Sequence, residues 1–100
     1  MKEYLLNHIN VDTDGTPVTG TGAARIVQIT GTDFGGGSVA LEMTAGTDQP
    51  FTILQYRGAP SAFVINTNVS LNFFPRGYLL RAVLAGATNP IDVTVTISDS

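Results

Sequence analysis

The sequence predicts an all-β protein, an antiparallel sandwich of jelly-roll-like form with seven or eight strands. Three observations carry that expectation. Apolar residues return at every second position in one run after another. The runs are centred roughly 8–12 residues apart, with Gly, Pro and Asn between them. No stretch carries an amphipathic helical repeat, and 100 residues are too few for a parallel sheet whose crossovers each take about a dozen residues.

Taken in order, the first apolar cluster is Tyr4, Leu5, Leu6 and Ile9, read as an arm or a first edge strand. Asp14-Gly15 and Pro17 then supply turn chemistry. Residues 1–20 are accordingly expected to be an N-terminal arm and loop, and residues 21–100 the sandwich domain. From Arg25 the period is two, with Arg25, Val27 and Ile29 on one face. A glycine-rich loop at 31–37 ends that strand, and Phe34 within it either tucks over the core or points outward. Val39, Leu41 and Met43 then alternate with Ala40, Glu42 and Thr44 in a half-buried strand. Further strands are expected at 51–56, at 62–67 and at 69–73. Gly77 opens the next, in which Tyr78, Leu80, Ala82 and Leu84 oppose Leu79, Arg81 and Val83. In the last, Ile91, Val93, Val95 and Ile97 face inward.

Composition removes several function classes. The chain has no cysteine, so disulfides, thiolate metal sites and cysteine nucleophiles are excluded. The formal net charge is −3, and nothing resembles the basic stripe that a nucleic acid requires, so no nucleic-acid partner is expected. No segment has the roughly 18 apolar residues of a membrane span. Charged residues make up only 13% of the chain. Few Lys and Glu side chains then need desolvating when a protein interface forms, which favours assembly.

Candidate chemistry is sparse. His8 is the single histidine, and no Gly-x-Ser-x-Gly elbow accompanies it, so nothing in the sequence points to a serine triad. Asp12-Thr13-Asp14-Gly15 resembles the opening of a calcium loop, but the twelfth position, where an EF-hand places glutamate, is Ala23. The glycines at 35–37 are followed by a strand and by no Lys-Ser/Thr pair, which excludes a phosphate loop. The expectation is therefore no catalytic residue, no metal and no cofactor. What remains is a surplus of apolar side chains. Phe73 and Phe74 are adjacent in an extended run and must face opposite ways. Ile53-Leu54 and Leu79-Leu80 repeat the pattern, and Arg81 lies on the face of Leu79 and Val83. Tyr4, Leu5, Leu6, Ile9, Phe73, Phe74 and Arg81 are the expected contact residues of a homo-oligomer.

The run Gly37-Ser38-Val39-Ala40-Leu41-Glu42-Met43-Thr44-Ala45-Gly46-Thr47, with Phe51 after it, and residues 74–88 with their Pro75-Arg76-Gly77 turn and Arg81-Ala82-Val83, resemble small β-sandwich proteins of tailed bacteriophage particles. The similarity covers about residues 37–97, with Phe51 where that family commonly has tryptophan. It implies a virion component at the capsid surface: a decoration or capsid-stabilising protein, commonly threefold, with the major capsid protein as partner. A tail or fibre module, or a carbohydrate-binding module using exposed aromatics, are the alternatives. The absence of a ligand set leads to a direct check. Calorimetric titration with calcium is expected to give no saturable heat, and a micromolar site would show Asp12 and Asp14 to be ligands.

Overall fold

The computed structural model describes residues 2–46, 50–56, 59–60, 62–64, 66–71 and 74–99. Its strands are β1 (Lys2–Ile9), β2 (Thr13–Asp14), β3 (Val18–Thr19), β4 (Arg25–Thr30), β5 (Ser38–Thr44), β6 (Thr52–Ile53), β7 (Gln55–Tyr56), β8 (Ala59–Pro60), β9 (Thr67–Leu71), β10 (Leu79–Ala85) and β11 (Val93–Asp99). One sheet runs β1-β11-β4-β9. A second runs β2-β10-β5-β6, with β3 also on β10, and β7 and β8 pair as a separate two-stranded ribbon. Every named pairing is antiparallel. With β2 and β3 taken as one interrupted strand, this is the eight-strand, two-sheet wrapping of a jelly roll. The fold class read from the sequence is the one found.

Alternation builds the core. Val27 and Ile29 of β4, Val39 and Leu41 of β5, Leu80, Ala82 and Leu84 of β10, and Val93, Val95 and Ile97 of β11 are all buried between the sheets. Phe34 tucks into the same core from the 31–37 loop.

Several expectations change. Ile91 is 51% exposed, because Asp92 takes φ 60° and breaks the alternation before β11 begins. Met43 is only partly buried, at the end of β5. Tyr78 precedes β10 and is 38% exposed instead of sharing the inward face of Leu80. The strand expected at 51–56 is broken at Leu54, whose N–H donates to Leu41 O. Of the strand expected at 62–67, the described part is a reciprocal bridge between Phe63 and Val39, with Thr67 opening β9.

The N-terminal segment is an edge strand. Between Tyr4 and Leu6 the register against β11 shifts by a residue: Tyr4 faces Thr96 and Leu6 faces Val95. That bulge turns both Leu5 and Leu6 into the core. Residues 1–20 thus bring an edge strand and, through Val18, another buried side chain to the same core as residues 21–100. Gly15 seals this side. Its N–H donates to Ala82 O at 2.7 Å, and a Cβ there would collide with the carbonyl oxygens of Leu5 and Ala82.

Leu5→Ala is expected to cost about 2–5 kcal/mol in urea unfolding, the range for emptying a buried leucine site. Deleting residues 1–9 is expected to unfold the chain. A folded, cooperative deletion variant would show that the segment is dispensable packing.

Candidate interaction surfaces

The expected contact residues divide sharply. Leu5, Leu6 and Phe74 are in the core and present no surface, and Ile9 packs against that core. For Leu5 and Leu6 the cause is the β1 bulge. Phe74 is drawn in where the chain crosses towards β10, its N–H on Ala23 O and its carbonyl accepting from Gly22 N. Phe73 lies outside the described residues. Tyr4 stays exposed, with Lys2 Nζ 5.7 Å from its ring centre. Arg81 is on the outer face of the β2-β10-β5-β6 sheet, as its alternation requires.

Around Arg81 the register does the positioning. Arg81 stands opposite Glu42, Val83 opposite Ala40, and Leu79 opposite Thr44. Both Nε and a terminal nitrogen of Arg81 reach Glu42 Oε1 at 2.8 Å. The guanidinium also lies 4.1 Å from the ring centre of Phe51. An ion pair and a cation–π contact therefore hold one planar group, flanked by the half-buried Leu79 and Val83. Ile53, opposite Glu42, carries the apolar surface to the sheet edge, where it is 46% exposed.

Beyond that edge lies a groove of about 580 Å³, walled by Met43, Thr44, Pro50, Ile53, Leu54 and Tyr78. Its wall is mainly apolar. Thr44 and Ile53 belong to both the groove and the outer sheet face.

A second, more polar cavity of about 440 Å³ opens between β1 and β3, one edge of each sheet. It is lined by Glu3, Pro17, Val18, Thr19, Thr21, Arg25 and Asp99. Arg25, facing inward with Val27 and Ile29, is 2% exposed. Glu3 Oε2 is 3.5 Å from one terminal nitrogen of Arg25, and Asp99 Oδ1 is 3.4 Å from its Nε. The Asp99 carboxyl is held below its ordinary range, first by the chain's α-amino group and in smaller part by Arg25.

At the opposite end, polar side chains lace the loops together. Asp12 accepts from Gly86 N at 3.1 Å and Ala87 N at 3.0 Å, so its carboxylate staples the β10–β11 loop. Asn10 Oδ1 accepts from Asp92 N, Asn66 Oδ1 from Gly31 N, and Asp33 Oδ1 from Gly35 N. His8 Nδ1 lies 2.5 Å from Asp92 Oδ1. Among the described residues, no group of three or more His, Cys, Asp or Glu is placed to hold a metal ion. Asp12 is a loop staple whose partner sits 74 residues away.

Sequence reading missed the partners of Arg81 and the burial of Arg25. Alternation puts Glu42 and Arg81 on polar-side faces, but only the β5–β10 register makes them neighbours. The chain matches no family model, no curated protein and no solved structure.

A double-mutant cycle on Arg81→Ala and Glu42→Ala is expected to give a coupling energy of about 1 kcal/mol, as half-buried cross-strand ion pairs do. A coupling indistinguishable from zero would show the pair to be ornamental to stability.

Proposed function

We propose that this chain is a structural component of a virus particle, of the kind that decorates or stabilises a capsid. It acts by protein–protein contact at the capsid surface and without turnover, with copies of itself and the major capsid protein as partners. One observation carries the reading: half-buried Leu79 and Val83 lie on the outer sheet face beside the Arg81–Glu42 pair, Ile53 is exposed next to Glu42, and a mainly apolar groove opens beside Tyr78. The exposed face of a sandwich is ordinarily polar, and an apolar tract gathered around one ion pair there marks a surface that a partner covers. Arg81, pinned by Glu42 and Phe51, sits within this tract with its rotamer already ordered, so contact with a partner costs little further side-chain entropy.

The jelly-roll wrapping is compatible with this role. Viral capsid proteins use it, and so do lectins and cupins, so the fold by itself does not select among them. The bacteriophage character of the reading comes from the resemblance of residues 37–47 and 74–88. The same resemblance supplies the threefold number, since closed pairs are the commoner oligomer in general.

Light scattering coupled to size exclusion is expected to give a mass near 31 kDa, three times the 10.5 kDa chain. Ile53→Asp should reduce it to the single-chain mass and abolish copurification with particles. Folding should survive, because Ile53 is already nearly half exposed. A wild-type monomer that ignores particles would overturn the proposal, and a dimer would overturn only the threefold number.

A further inference from the structure

Two sheets present four edges, and one of them is left open. β1 is broken by two register shifts, β2 and β3 by the gap between them, and β6 is two residues long. β9 carries none of these devices. It pairs with β4 in unbroken register, from Leu71 opposite Arg25 to Thr67 opposite Ile29. It contains no proline, no glycine and no charged residue. Among the described residues no strand lies along its other side. Asn68, Val69, Ser70 and Leu71 make no hydrogen bond there beyond the pairing with β4. Alternate backbone N–H and C=O groups of these four residues therefore point away from β4 with no protein partner. Such an edge is a template for strand addition, and proteins ordinarily blunt it. Three edges here are blunted and the fourth is not, which points to a strand that pairs with β9.

The chemistry of β9 selects its partner. The added strand must be regular, uncharged and open along one side, and β9 of a second copy is all three. Antiparallel pairing across a two-fold axis normal to the sheet keeps inward side chains beside inward ones. Centred on Ser70, it sets Ser70 opposite the partner's Ser70, and Val69 opposite the partner's Leu71. Val69 is buried and Leu71 half-buried, both towards the core, so aliphatic groups meet on the inner side. Asn68 and Ser70 are exposed and uncharged on the outer side, so no like charges meet there. Five residues a side is far fewer than the 20–30 of a stable interface, so the contact is weak in dilute solution.

We propose that β9 is a self-pairing edge, at which two copies of this chain join their four-stranded sheets into one of eight strands. The proposal is independent of the capsid reading, since neither Ile53 nor the outer face of the β2-β10-β5-β6 sheet takes part. A threefold ring joins unlike surfaces of neighbouring copies, so it leaves β9 free for this two-fold contact.

The test is sedimentation equilibrium on the full chain carrying Ile53→Asp, so that outer-face contacts do not contribute. Between micromolar and millimolar concentration the mass is expected to rise to about 21 kDa, twice the 10.5 kDa chain. Amide hydrogen exchange should slow over the same range at alternate residues of β9 and at no other edge. Ser70→Lys and Ser70→Glu, at an exposed position that leaves folding intact, are then added singly to this background. Each sets like charges opposite one another and should abolish the doubling. Mixed in equal amounts, the two should restore it, because lysine then faces glutamate. Four outcomes overturn the proposal: the mass does not rise, the β9 amides are not slowed, either Ser70 variant alone doubles like its parent, or the mixture does not pair. None of them bears on copurification with particles, which reads the capsid proposal separately.

Discussion

The removal from water of the inward side chains of four central strands holds everything else in place. Strands β11 and β4 lie at the middle of one sheet, and β10 and β5 at the middle of the other. Their inward apolar residues are Val and Ile on the first sheet, and mainly Leu, Val and Ala on the second. Each large aliphatic side chain so buried contributes about 1.5–3 kcal/mol before conformational entropy is set against it. Because a strand's side chains alternate strictly, burying these residues also decides what faces outward. Glu42, Arg81, Leu79 and Val83 are on the outer face because their neighbours are in the core.

The periphery shows how the chain limits uncontrolled strand addition. β1 carries two register irregularities against β11, with His8 in a left-handed conformation at the second. The opposite sheet ends in β2 and β3, interrupted between Asp14 and Val18, and at its other edge in β6, two residues long. Bulges and short edges discourage pairing with another chain. Association at these three edges is thereby disfavoured; the fourth edge, β9, is five residues long and pairs with β4 without a register shift.

The two ends of the sandwich use polar groups differently. At one end, Asn10, Asp12 and Asn66 accept from backbone N–H groups with their side-chain oxygens, so loops distant in sequence are tied without a hydrophobic cover, and Asp33 accepts from Gly35 N within its own loop. At the other, Arg25, Glu3 and Asp99 carry the inward faces of three strands out of the core in charged form. The first end uses its hydrogen-bonding capacity internally. The second leaves Arg25 Nε without an acceptor among the described residues.

How much of this was legible beforehand depends on the range of the interaction. Period-two runs determined the fold class, the strands at β4, β5, β10 and β11, and their core residues, because the side a residue faces follows from its place along a single strand. The short, broken stretches at 52–63 and the bulge at Leu5 were not legible, since a one-residue slip leaves composition unchanged and inverts every face after it. Ile91 is the plainest case: its spacing is right, and the left-handed Asp92 removes it from the core. The pairing of Arg81 with Glu42 and Phe51, the stapling by Asp12, and the meeting of Arg25 with Glu3 and Asp99 were decided by tertiary structure alone. Each joins residues 22 to 75 positions apart, and only sheet order and register bring such groups within hydrogen-bond reach.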